Sequence, residues 1–124
     1  MKKKIAVLFG GTSSEREISI QSGNVILQSL IKSGFDAHAI DTRNTSICNL
    51  KKEQFDKVYI MLHGKGGEDG SIQGVLEYLN IPYTGSGIMA SAISIDKFRT
   101  KLLWKSCNLP TIPDVYIKKK TQNC

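Results

Sequence analysis

Two short apolar runs, each leading into a glycine-rich segment, most constrain the fold of this chain. Residues 5–9 are all apolar and are followed by Gly10 and Gly11. The apolar residues 58–62 are followed by residues 63–70, which include four glycines. An unbroken apolar run of this length is typical of a strand buried on both faces, as in a parallel sheet. Because glycine loses much chain entropy on folding, this density of glycine indicates turns that bind something small and charged.

The rest of the chain alternates between helical and strand spacing. Helices are expected at residues 18–31, 72–79 and 94–106, single helical turns at 50–55 and 89–91, and further strands at 37–40, 81–83 and 115–117. Ser14 and Glu17 have the spacing of a capping box, which predicts that Ser14 caps the first helix.

Strands that alternate with helices form parallel sheets with right-handed crossovers, which here favours the strand order 2-1-3-4. We therefore expect an α/β fold, a flavodoxin-like or Rossmann-like doubly wound parallel sheet. In that order the chain direction across the sheet reverses between strands 1 and 3. Ligands bind at the carboxyl ends of the strands at such a reversal, so residues 10–14 and 63–70 should meet in one crevice.

Composition argues against a nucleic-acid partner, a membrane span and a metal centre. The net charge is +6, but six of the 17 basic residues lie in residues 2–4 and 118–120, and the other 11 balance 11 acidic residues. No apolar stretch has the length of a membrane span or of a signal peptide, so we expect a cytoplasmic protein. The three cysteines are far apart, and no histidine lies at metal-ligand spacing from them, which predicts reduced thiols. Cys107, close to Trp104, is expected to be packed.

The two glycine-rich segments lack the standard nucleotide and nucleophile motifs. The sequence has no P-loop, no dinucleotide-binding fingerprint and no serine nucleophile elbow. What remains is a cluster of polar groups of both signs. Glu15 could pair with an ammonium group, His63 could hydrogen-bond a polar group, and glycine N–H groups could meet a carboxylate. An amino acid zwitterion would match that set.

Structural explanations are open for the same residues. Glu15 could serve only to compensate the helix dipole, and His63 could be a strand-end histidine bonded to the backbone. Glu68 and Asp69 are more often helix-start residues than ligand contacts. A lysine at a helix start, such as Lys97, is usually solvated. The residues alone leave these alternatives undecided.

Four segments of the sequence resemble one enzyme family. They are residues 10–19, 63–74, 82–87 and 89–97. In this order they are similar to motifs of the D-alanine–D-alanine ligases, along nearly the whole chain. Each motif alone is modest, but four in register make a specific match. Members of the family join two D-alanines at the expense of ATP. The carboxylate of one D-alanine is phosphorylated, and the amine of the second D-alanine attacks this acyl phosphate. The dipeptide product enters peptidoglycan.

The resemblance implies roles for three residues. Glu15 matches the glutamate that holds the ammonium of the first D-alanine and anchors a mobile loop, so it is expected as a substrate-binding and catalytic residue. His63 matches a histidine that lines the same pocket. Lys97 matches a lysine placed toward the ATP phosphates. The resemblance also implies ATP and Mg²⁺, with the magnesium ligands beyond residue 124, and a homodimer that forms through this domain.

The resemblance further implies that the chain contains parts of two domains. Residues 1–93 correspond to the N-terminal α/β substrate-binding domain, and residues 94–124 to the start of the central ATP-grasp domain. We therefore expect a truncated chain that is inactive alone, with a loosely held tail from about residue 114. An apolar stripe should be exposed on the last helix, at Phe98, Leu102, Leu103 and Trp104. The alternatives are a flavodoxin-like module that binds a small ligand without chemistry, or a dimerisation module.

Overall fold

The computed structural model describes residues 3–115 and 117. Its elements are β1 (Lys4–Phe9), α1 (Arg16–Lys32), β2 (Asp36–Asp41), α2 (Asn49–Lys52), β3 (Lys57–Ile60), α3 (Ser71–Tyr78), α4 (Ile88–Ser94) and α5 (Lys97–Ser106). Strands and helices alternate as the sequence predicts as far as α3, and two further helices follow without a strand between them. No helix in the described part of the chain is long and apolar enough to span a membrane.

The strands form a parallel sheet in the order β2-β1-β3, which confirms the predicted order for strands 1 to 3. Strand β1 lies at the centre, and all six of its residues pair with β2 while four pair with β3. An apolar run buried on both faces is what a central parallel strand requires. The prediction of an α/β parallel fold is therefore confirmed.

The predicted fourth strand at residues 81–83 is wrong. Beside β3 the structure has a single parallel bridge, between Val58 and Tyr83, at the position where strand 4 was expected. The Pro82 carbonyl accepts from the Val58 N–H at 2.9 Å, and the Thr84 N–H donates to the Val58 carbonyl at 3.1 Å. Pro82 has no N–H to donate, and Gly85, with φ +101°, turns the chain away, so the pairing stops after one bridge.

Helices cover both faces of the sheet, which makes it doubly wound. On one face α1 packs against Val7 and Phe9 through Leu27, and a Cβ on Gly23 of α1 would lie 2.5 Å from the Phe9 Cβ. On the other face α2 and α3 bury Leu50 and Leu76 completely. The core therefore has two layers, and the strand ends emerge between them.

The bounds of three helices differ from the prediction. The capping box at Ser14 is wrong: α1 begins at Arg16, its N-cap is Glu15, and no side chain at that N-cap bonds a helix N–H. The predicted single turn at residues 89–91 is part of α4, which is longer. Helix α5 begins after Asp96, whose carboxylate accepts from the Arg99 N–H at 2.9 Å.

The last described segment carries no strand, so the prediction of one at residues 115–117 is wrong for Val115 and Ile117. Both are 86% exposed, and Tyr116 between them lies outside the described residues. Lys105 holds Asp114 at 2.9 Å, which tethers the chain up to that point.

The apolar stripe of α5 is exposed as expected at Leu102, Leu103 and Trp104, while Phe98 is half-buried. Cys107 is exposed, so the prediction that it is packed is wrong. It and Cys48 are free thiols, and Cys124 lies outside the described residues.

Candidate functional site

The two glycine-rich segments meet at the carboxyl ends of β1 and β3, as the topology predicts. The Ser13 hydroxyl donates to the His63 carbonyl at 2.8 Å and so joins the two loops directly. Between them lies a cavity of about 130 Å³. Its lining comes from both loops and from the segment after β2, at Gly10, Gly11, Thr12, Ser13, Thr42, Ile47, Leu62, His63, Lys65, Gly66 and Gly67.

The first loop is held in place by an ion pair behind it. Gly10 and Gly11 have φ values of +76° and +73°, a conformation that favours glycine. The Arg16 guanidinium donates to both carboxylate oxygens of Asp41, at 2.9 and 2.6 Å, and to the Gly11 carbonyl at 3.0 Å. Hydrogen bonding from Arg16 lowers the pKa of Asp41 to about 2. This bidentate pair ties the first turn of α1 to the end of β2.

Ser19 joins the ends of the two strands. Its side chain is fully buried, its Oγ accepts from the Gly10 N–H at 2.8 Å, and its hydroxyl donates to the Met61 carbonyl at 2.6 Å. Ser19 therefore fixes the distance between the end of β1 and the end of β3. Sequence reasoning missed Ser19, because in sequence a serine in a helix cannot be distinguished from a solvated residue.

The carboxylates of the second loop bind the loop itself. Glu68 accepts from the Gly64 N–H at 2.8 Å, and Asp69 accepts from the N–H groups of Gly66 at 2.8 Å and Ser71 at 3.0 Å. The Gly66 N–H is the main cause that lowers the pKa of Asp69. The structural interpretation of Glu68 and Asp69 is thus the better one. The expectation that the loop glycines offer their N–H groups to a ligand carboxylate is wrong for Gly64 and Gly66.

The structure brings the Glu15 carboxylate next to the His63–Gly64 segment, although Glu15 is not among the residues that line either cavity. Glu15 is exposed, and its Oε2 lies so close over Gly64 that a Cβ there would be 2.5 Å away. The His63 ring is held by Ser22, whose Oγ lies 3.1 Å from Nε2, and its Nδ1 lies 3.7 Å from Glu68 Oε1. The carboxylate and the imidazole therefore flank the same glycine.

Lys97 lies elsewhere. It is the exposed first residue of α5 and is not among the residues that line the cavity between the loops or its larger neighbour. Among residues 3–115 and 117, no group of three His, Cys, Asp or Glu side chains is placed to hold a metal ion.

A larger cavity of about 330 Å³ adjoins the first, and His63 lines both. Its wall is rich in hydroxyl groups, from Thr84, Ser86, Ser91 and Ser94. Gln73 also lines it, and its Nε2 donates to the Gly67 carbonyl at 2.9 Å. The Gln73 Oε1 is buried and has no partner among the described residues. His63 thus stands between two polar cavities, with its ring fixed from α1.

Comparison with known proteins gives one consistent result. Residues 41–86 match the family described as D-ala D-ala ligase N-terminus. Over 120 residues the chain is 72% identical to the D-alanine–D-alanine ligase of Buchnera aphidicola subsp. Schizaphis graminum, which covers 97% of this chain. The chain spans only 39% of the length of that relative.

Solved structures agree over similar shares. The D-alanyl-alanine synthetase A of Vibrio cholerae has a TM-score of 0.80 at 31% identity, covering 98% of this chain and 42% of its own. The D-alanine–D-alanine ligase of Bacillus anthracis has a TM-score of 0.75 at 37% identity, covering 86% and 35%. That ligase has also been solved in complex with ATP. Sequence and fold together show that this chain is similar to the N-terminal part of the D-alanine–D-alanine ligases.

Proposed function

We propose that this chain is the N-terminal part of an ATP-dependent ligase that joins two D-alanines to D-alanyl-D-alanine for peptidoglycan. The observation that carries the proposal is the 72% identity to a D-alanine–D-alanine ligase over 97% of the chain. The meeting of the two glycine-rich loops at one crevice supports it, since it brings both family-like motifs to one place. Because ATP is the co-substrate, we place the reaction in the cytoplasm.

In this proposal the crevice holds the first D-alanine. Glu15 is the residue for the substrate ammonium: it is exposed, its carboxylate lies over Gly64, and the structure gives it no cationic partner among the described residues. His63 lines the same place and is half-exposed to a ligand. The loop N–H groups of Gly64 and Gly66 are taken by Glu68 and Asp69, so the substrate carboxylate must find its partners elsewhere. Holding the ammonium fixes the carboxylate that reacts with ATP.

The ATP side of the site is only partly present. Lys97 fits a role toward phosphates, because it is exposed in the first turn of α5 and the carboxylate of the preceding Asp96 is paired with Arg99. The described residues do not fit Mg²⁺, since they include no suitable carboxylate cluster. In the proposed reaction ATP phosphorylates the first D-alanine, the amine of the second displaces phosphate, and ADP is released. The groups that stabilise that transfer belong to the other part of such a ligase.

The division at residue 93 is part of the proposal, with residues 1–93 binding substrate and residues 94–124 opening the ATP-grasp domain. The exposed apolar side chains of α5 support it, because such a stripe fits an interface with a following domain. Since the chain corresponds to 39% of its relative, we propose that it is inactive alone. Purified chain should release no phosphate from ATP when D-alanine is added, and clear release would overturn this point.

A hybrid protein tests the function itself. The chain is joined to the part of the Buchnera aphidicola relative that follows the matched region, and D-alanine-dependent ADP formation is measured. The hybrid should be active, and Glu15→Gln should reduce kcat/KM by at least about tenfold, as expected for loss of a charged contact. Glu17→Gln is the matched control, because Glu17 is an exposed carboxylate of the same helix turn. Equal activity of the two variants would refute the role of Glu15.

We also propose that the protein forms a homodimer through this domain. Helix α1 exposes Val25 and Ile31, which are 65% and 48% accessible. Exposed apolar side chains of this kind favour self-association. Light scattering should give twice the chain mass, and a monomer at high concentration would refute it.

A further inference from the structure

The imidazole of His63 is held from helix α1 by Ser22. Its Nε2 lies 3.1 Å from the Ser22 Oγ, and both side chains are partly buried. The Ser22 hydroxyl also lies 2.7 Å from the carbonyl of Ile18, one helix turn earlier. A hydroxyl has a single proton, so it can donate to only one of these two acceptors.

Counting hydrogen bonds decides where that proton goes. If the hydroxyl donates to Ile18, the His63 Nε2–H can donate to Oγ, and two hydrogen bonds form. If the hydroxyl donates to Nε2 instead, the bond to Ile18 is lost and only one remains. The first arrangement is therefore favoured, with the ring proton of neutral His63 on Nε2.

Glu68 opposes this arrangement only weakly. Its Oε1 lies 3.7 Å from Nδ1 of His63, which is too far for a hydrogen bond, and its side chain is 48% exposed. Its other oxygen already accepts from the Gly64 N–H. Solvent screens the charge of the exposed Glu68 carboxylate. Its attraction for a proton on Nδ1 therefore stabilises that tautomer less than the hydrogen bond to Ser22 stabilises the other.

We propose that Ser22 is a positioning residue for His63. It fixes the ring orientation and keeps the proton on Nε2, so that Nδ1 is an acceptor on the side where His63 and Glu68 line the larger cavity. A bound ligand would meet Nδ1 with an N–H or O–H donor; this consequence rests on the proposed function, whereas the proton position does not.

The same geometry excludes a different activity for this cluster. Ser22, His63 and Glu68 have the composition of a nucleophilic triad, in which the histidine takes the serine proton. Here the serine proton is bonded to Ile18, and the histidine is the donor. Ser22 is thus not activated as a nucleophile.

Long-range ¹H–¹⁵N NMR of the 124-residue chain tests the proposal directly. The chain has only two histidines, so each ring can be assigned, and His38 is an internal reference because its Nε2 is bonded to Asp36 at 2.8 Å. Spectra are recorded at about pH 8.5, roughly two units above the ordinary histidine pKa. We expect His63 to carry its proton on Nε2.

Variants separate positioning from stability. Ser22→Ala should raise the fraction of Nδ1-protonated His63 at least about threefold, a change that corresponds to loss of one hydrogen bond, while Ser22→Thr keeps the hydroxyl and the wild-type pattern. Ser94→Ala is the matched control, because the Ser94 hydroxyl bonds a carbonyl of its own helix at 2.7 Å in the same way but contacts no histidine. His38 should be unchanged throughout.

Two results would overturn the proposal: a wild-type His63 protonated on Nδ1, or a Ser22→Ala spectrum equal to that of Ser94→Ala. The measurement is made without ligand. Failure of the ligase activity would therefore count against the proposed function and would not alter the result for Ser22.

Discussion

Replacing Ser19 with alanine should destabilise this chain more than any other removal of a single hydroxyl near the site. Ser19 is fully buried, accepts from the Gly10 N–H and donates to the Met61 carbonyl. Both partners lie where a strand ends and a site loop begins. The substitution removes the partner of the buried Gly10 N–H and of the part-buried Met61 carbonyl.

The expected magnitude follows from these two groups. A buried polar group left unpaired costs about 1–3 kcal/mol. Alanine gains at most about 0.5 kcal/mol over serine as a helix former. The free energy of unfolding should therefore fall by about 1.5–5.5 kcal/mol, which is a large share of the 5–15 kcal/mol typical of a domain.

Urea unfolding followed by circular dichroism measures this change, with Ser94→Ala as the control. The Ser94 hydroxyl is exposed and bonds only its own helix, so its removal should alter the free energy of unfolding by less than about 0.5 kcal/mol. Hydrogen exchange gives a second readout, since the Gly10 amide should lose more protection than the global change explains. A Ser19→Ala loss below about 1 kcal/mol would refute the reasoning that these two bonds hold the loops.

Other predictions concern helix packing and charge. Gly23→Ala should lower the urea midpoint although alanine is the better helix former, because the new Cβ would lie 2.5 Å from the Phe9 Cβ. Gly74→Ala is the control: its new Cβ would lie 3.8 Å from the nearest neighbour, so the free energy of unfolding should rise by about 0.5–1 kcal/mol. Equal effects of the two substitutions would contradict the close contact between α1 and Phe9. Asp41→Asn should cost about 2 kcal/mol at neutral pH, because Arg16 lowers the Asp41 pKa from 3.8 to about 2. That stabilisation is fully present above pH 3.8 and is lost as pH falls toward 2, so a constant difference between variant and wild type across this window would refute it.

The sequence predicted the sheet because burial leaves a strong pattern. A central parallel strand must be apolar at every position, and residues 5–9 meet that condition without exception. Chirality of the crossovers then restricts the order of neighbours, which is why the meeting of the two loops could be predicted. The fourth strand was predicted on the same grounds and failed because Pro82 limits the pairing to one bridge.

The helix start at Ser14 failed for a different reason. The capping box is a local signal, but the end of this turn is determined by a contact with β2. Arg16 reaches Asp41, 25 residues away, and this ion pair fixes where the first helical turn begins. Nothing in the spacing of Ser14 and Glu17 reports that contact, so a local pattern was overridden by a tertiary one.

The residues that support the site could not be predicted from sequence, because polar side chains on a helix are usually solvated. Positions 15, 19 and 22 follow helical spacing, so Glu15, Ser19 and Ser22 lie along one face of α1. In sequence a stripe of serines and a glutamate is indistinguishable from a solvated face. In the structure that face meets the second loop: Glu15 lies over Gly64, Ser19 bonds the end of β3, and Ser22 holds His63. A helix that begins at a glycine turn beside a second loop needs small hydroxyl side chains there, because larger ones would separate the loops and apolar ones would leave the strand-end backbone unpaired.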